Sequence, residues 1–134
     1  MTAQEFNNDL KSWDQALQQE MNLVIRKVGL EMLQRVILKS PVDTGHFRHN
    51  WQLTVNNTTD TELAGEDKGG AATIARESPK LLGALPPGPL VYIQNPVPYA
   101  ERLENGWSQR QAPQGMLRLT LQELATAYNM KVEG

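Results

Sequence analysis

Apolar residues recur at steps of three or four along the first part of the chain: Phe6, Leu10, Trp13, Leu17, Met21, Val24, Val28 and Met32. That spacing draws one stripe down an amphipathic helix. Thr2 and Glu5 stand in the Thr-x-x-Glu pattern of a capping box, which fixes where the helix starts. From Leu23 onward the pattern turns apolar on more than one side, with Ile25, Leu30, Leu33, Ile37 and Leu38, so the second half reads as a core helix. Gly29 interrupts it at about 1 kcal/mol relative to alanine. Ser40-Pro41 ends it, because the residue before a proline is pushed out of the α region. Unbroken, such a helix is on the order of 55 Å long, whereas a globule of this size is about 36 Å across. Either the helix bends near Gly29, or its first half projects and packs on a partner. Projection is the expectation, with Leu10, Trp13 and Leu17 as interface residues.

Val42-Asp43-Thr44-Gly45 reads as a turn leading into a short helical piece. Trp51 to Val55 alternates apolar and polar, as a half-buried strand does. Residues 56–70 are rich in Asn, Thr, Gly and acidic groups; composition predicts a mobile loop or hairpin tip. Ala71 to Leu82 has the composition of a helix, and Gly83 to Pro89 that of a rigid irregular connector. Leu90 to Ile93 is a second strand, stopped by Pro96 and Pro98. Tyr99 to Glu104 is a one-turn helix ended by Asn105-Gly106, and Pro113 opens a closing helix that runs to about Met130. The pattern predicts an α+β fold. A long N-terminal helix and a C-terminal helix pack on a small antiparallel or mixed β-sheet, all within one domain covering residues 1–134.

Composition narrows the function classes. Net charge is −2, with no basic signature for nucleic acid. The acidity is concentrated in residues 56–70, where Asp60, Glu62, Glu66 and Asp67 face Lys68. The chain has no cysteine, which removes disulfide and thiolate chemistry. Neither a signal-peptide pattern nor an apolar run long enough to span a bilayer occurs, so a soluble protein made in the cytoplasm is expected.

Candidate chemistry is sparse. His46 and His49 lie three residues apart, with Asp43 three residues before, and on one helical side these can bind a divalent metal. The His-Glu-x-x-His spacing is absent and no third histidine completes a site, so exposed polar residues are the plainer reading. Glu101 and Glu104 can be cast as an acid–base pair, but neighbouring Arg102 and Arg110 make solvated helix charges the simpler assignment. Gly69-Gly70 lacks the strand and the Gly-Lys-Ser/Thr of a phosphate loop. Trp107, a large aromatic beside Gly106 in a polar loop, is a candidate interface anchor.

Two ordered blocks carry a resemblance. The first is Ser40-Pro-Val-Asp-Thr-Gly45 followed by Phe47-Arg48 and Trp51. The second is Tyr92-Ile-x-Asn95, Val97-Pro-Tyr-Ala100, Leu103-Glu-x-Gly106 and Gln111-Ala-Pro-x-Gly-Met116 followed by Arg118. Together they resemble the small neck or tail-completion proteins of the head–tail junction of tailed bacteriophages. The resemblance implies an α+β virion protein forming a ring around the DNA channel. Implied partners are copies of itself, the head connector, and tail-tube or tail-terminator proteins, in the virion and in the host cytoplasm during assembly. Asp43, Thr44 and Gly45 would shape the turn after the long helix, Tyr99 would pack under the sheet, and Glu104 and Gly106 would set the loop to the last helix. Pro113 and Met116 belong to the same motif. No catalytic residue, cofactor, membrane contact or sequence-specific nucleic-acid contact is implied. Two other readings use the residues themselves: an adaptor module acting through the amphipathic helix, and a small metal-dependent hydrolase built on Asp43, His46 and His49.

Overall fold

The long apolar stripe forms a single helix, α1, over Ala3–Lys39 in the computed structural model, which describes residues 1–100, 104 and 116–128. The capping box is made on both sides. Thr2 Oγ1 accepts the Glu5 N–H at 3.1 Å, and Glu5 Oε2 accepts the Thr2 N–H at 2.9 Å. The helix passes through Gly29 without interruption. Its glycine serves another purpose, because a Cβ there would lie 2.7 Å from Leu81 Cδ1. Gly29 lets the buried Leu81 approach the helix closely.

At the other end, Ser40 is extended at ψ 138°, as the following Pro41 requires. The last carbonyls of α1 are met by Arg48, whose Nη2 donates to Leu38 O at 3.1 Å and Ser40 O at 2.9 Å. Such C-terminal carbonyls have no partner within their own helix, so a cationic fork satisfies both the acceptors and the dipole.

Arg48 sits on α2 (His46–His49), which leads into β1 (Gln52–Val55). The helix expected over residues 71–82 forms in two pieces, α3 (Ala71–Glu77) and α4 (Pro79–Leu82). Pro79 has no N–H to continue the ladder, so the chain breaks there and restarts with proline in its first turn. Strand β2 (Val91–Gln94) pairs with β1 antiparallel, with Leu53 opposite Ile93 and Val55 opposite Val91. The closing helix, α5, covers Met116–Tyr128 among the described residues, and packs on α1, where Glu123 bonds both Arg35 and Lys39. The fold is α+β, with an antiparallel two-stranded sheet.

The core joins Leu33, Val36 and Ile37 of α1 to Phe47, Trp51, Leu53, Leu81 and Val97. The indole N–H of Trp51 is answered inside the core: Nε1 donates to Ser40 Oγ at 2.6 Å, and that hydroxyl donates to Val36 O at 2.7 Å. The β1 face expected to meet water is covered as well. Gln52 is buried, with its Nε2 donating to Thr61 O at 2.8 Å.

Candidate functional site

Residues 1–21 are all exposed, and α1 as far as Leu17 runs clear of the body for roughly 20 Å, before Gln18 and Met21 line a pocket with Leu85, Pro87 and Pro89. Phe6, Leu10, Trp13, Leu17, Met21 and Val24 are each 44–68 % exposed, with Trp13 the most open. Apolar positions on a water-facing helix usually yield to polar ones, so an exposed apolar stripe of this length is the unusual surface of the chain. Nearer the body the same stripe becomes one wall of an apolar groove of about 420 Å³. Val24, Val28 and Met32 form one side, and Leu90, Val91 and Ile93 the other.

A second cluster of sequence-predicted residues lies around the turn at Asp43-Thr44-Gly45. Asp43 and Thr44 are exposed, and Thr44 Oγ1 accepts the His46 N–H at 3.2 Å. Gly45 is buried at φ +91°, and a Cβ there would fall 2.6 Å from the Lys68 nitrogen. Its carbonyl accepts the N–H groups of His49 at 3.0 Å and Asp67 at 2.9 Å. Only glycine combines that left-handed backbone with so close an approach. The turn is therefore where residues 56–70 return to the body.

Composition alone had made residues 56–70 a mobile segment. They are irregular, but side chains of the body hold their course. Asn50 brackets Leu63, with Oδ1 accepting its N–H at 2.7 Å and Nδ2 donating to its carbonyl at 3.0 Å. Arg48 Nη1 donates to Lys68 O at 2.7 Å. Asp67 accepts the N–H groups of Gly70 and Thr73 and the Thr73 hydroxyl, fastening the start of α3. Burial alone would raise its pKa, but these donors outweigh it and hold the carboxyl below its ordinary value.

The two histidines of the hydrolase reading are employed separately. His46 Nε2 meets Glu62 Oε1 at 2.7 Å, and its Nδ1 meets Gly65 O at 2.9 Å. The Glu62 and Gly65 bonds raise its pKa above 6.5. His49 faces Arg76 Nη1 at 3.2 Å. Among the described residues no three His, Asp or Glu side chains converge in a group able to hold a metal ion. Nor, among them, is any helix long and apolar enough to cross a membrane.

Tyr99 rests its ring against Phe47, with centroids 5.8 Å apart, and stays 39 % exposed. That contact sets it beside α2, while Val97, two residues earlier, is buried in the core. Glu104 is partly buried, and Met116 is the first residue of α5. Gly106, Trp107 and Pro113 fall outside the described residues. Asn50, Arg48 and Asp67 were not singled out from the sequence for these roles. The Asp67-x-x-Gly70 spacing before an apolar stretch is the one local signal that points to any of them. Compared with known protein families, with curated proteins and with solved structures, the chain finds no match.

Proposed function

We propose that this chain is a structural component of the bacteriophage head–tail junction, of neck or tail-completion type, which assembles with copies of itself into a ring around the DNA channel. The observation that carries the reading is the apolar stripe from Phe6 to Val24, exposed on a helix that outruns its own body. A catalytic protein concentrates its unusual groups in a cleft. Here the unusual surface is long, apolar and convex, which suits association. The head–tail assignment itself rests on the two ordered sequence blocks. Its partners are further copies of the chain, the head connector and a tail-tube or tail-terminator protein, and its place is the virion.

Two measurements test the proposal. Light scattering should give a mass that is a multiple of the 15.0 kDa chain, and the triple variant Leu10→Gln, Trp13→Gln, Leu17→Gln should lose it while keeping the circular dichroism of the body. In extracts containing phage heads and tails but lacking this chain, wild-type protein should restore joined particles and the triple variant should not. Heads and tails that join equally well without the protein refute the virion role. A wild-type chain that stays monomeric at all concentrations favours the adaptor reading, which uses the same stripe on another protein.

A further inference from the structure

We infer that the groove beside β2 is the seat for the outer half of α1 from a second copy of this chain, so that subunits join by stripe-in-groove contacts. The inference rests on the reading of α1 as an association element, and names what that element binds. The stripe of one subunit does not pack on the stripe of the next.

Three observations select this occupant. The first is area. The five stripe residues of the outer half, Phe6, Leu10, Trp13, Leu17 and Met21, at 44–68 % exposure and roughly 150–250 Å² each, leave about 500 Å² of apolar surface. That is near the upper end for the largest patch on a monomer and, with its polar margins, approaches the 800 Å² or so that each partner of a stable interface contributes. The second is shape. The groove is open and apolar, about 420 Å³ in volume, and Leu90 on its rim is 61 % exposed. A convex apolar ridge and a concave apolar trough occur on one chain, which is the requirement for a head-to-tail contact between identical copies.

Charge is the third observation, and it sets the register. Residues 3–21 carry Glu5, Asp9, Asp14 and Glu20 against Lys11, a net −3. Residues 22–39 carry Arg26, Lys27, Arg35 and Lys39 against Glu31, a net +3, which becomes +2 when Glu123, bonded to Arg35 and Lys39, is included. Two outer halves laid side by side would bring together like charges. An outer half laid along the groove runs beside the basic half of its neighbour's α1, where Arg26 is tied to Leu81 O and Gly83 O and Arg35 and Lys39 to Glu123. The complementarity therefore acts at longer range, steering the encounter rather than forming pairs inside the groove.

The test uses two folded variants that each remove one side. The triple variant Leu10→Gln, Trp13→Gln, Leu17→Gln has no stripe. Leu90→Asp spoils the groove at an exposed side chain, and circular dichroism should match wild type for both. In sedimentation velocity, at a concentration where wild type is fully assembled, each variant alone should lose its assembled species. Mixed one to one they should form a dimer, because one intact stripe meets one intact groove, and growth then stops. Undiminished assembly of Leu90→Asp overturns the inference while leaving α1 association intact. A mixture that stays monomeric overturns it too. A monomeric wild type removes both the inference and the reading beneath it.

Discussion

Glu77 is the test of how the body that carries α1 is held together. Its side chain is 1 % exposed at the end of α3. Oε1 accepts the Leu53 N–H at 2.8 Å and Lys80 Nζ at 2.7 Å, and Oε2 accepts Arg76 Nε at 2.7 Å. One carboxylate thus ties β1 to α3 and α4. Replacing it by glutamine, Glu77→Gln, keeps the volume and one acceptor. The amide NH2 then faces Arg76, donor against donor. Hydrogen bonds to charged groups contribute about 1.5–3 kcal/mol each. Arg76 and Lys80 are 30 and 45 % exposed and can recover some water, so the net loss should be about 2–3 kcal/mol, not the sum. That lowers the midpoint of a domain this size by about 10 °C without unfolding it. Burial raises the Glu77 pKa, but the bonds from Lys80, Arg76 and Leu53 outweigh it and hold the group below its ordinary 4.5. The folded value being depressed, the carboxylate's contribution is complete above pH 4.5 and is lost as pH falls through the folded value. Urea melts of both proteins should therefore show the full gap at pH 7 and a shrinking one below pH 4.5. A gap below 0.5 kcal/mol at pH 7 (about a third of the smallest single charged bond), or one unchanged at pH 3, would refute this account.

The same linkage runs the other way at His46, whose pKa is raised by Glu62 and Gly65. Its contribution is complete below the ordinary histidine value of 6.5 and disappears as pH rises through the folded value. NMR titration should show the His46 midpoint above 6.5, and Glu62→Gln should move it down; a midpoint indifferent to that change would dissolve the pair. In residues 56–70, the amides of Leu63, Asp67 and Gly70 donate to defined acceptors. Hydrogen exchange should find them slower than unprotected peptide amides, whereas free exchange throughout the segment would restore the picture of a mobile loop.

What could be read in advance was local. The α1 stripe, the Thr2–Glu5 box and the Ser40-Pro41 stop are short-range signals, and each appears in the structure where the sequence places it. Both strands were visible within a residue of their observed limits. The break at Pro79 needed only the rule that proline ends a helical run, which the composition of residues 71–82 obscured. The anchors of residues 56–70 could not be read from their composition, because their acceptors and donors lie far away in sequence. Asn50 reaches Leu63, Arg48 reaches Lys68, and Asn56 meets Leu90. Gly29 looked like a weak point in a helix because Leu81, fifty-two residues later, cannot be seen from the pattern. The groove is equally non-local, since Leu90 to Ile93 and the α1 stripe meet only after β2 pairs with β1.

The free length of α1 has a thermodynamic consequence. Its anchored half, around Leu33 to Ile37, supplies the helix nucleus, so the outer turns form by propagation alone, one bond per residue ordered. Those turns contain Asn7, Asn8, Asp9, Ser12 and Asp14, all weak helix formers. The outer half therefore frays from the tip inward, held chiefly by the Thr2–Glu5 box, and any partner that takes the stripe must first repay the lost chain entropy. If that partner is a second copy, as proposed, joining becomes steep in concentration and temperature, and helix order spreads outward as the assembly grows.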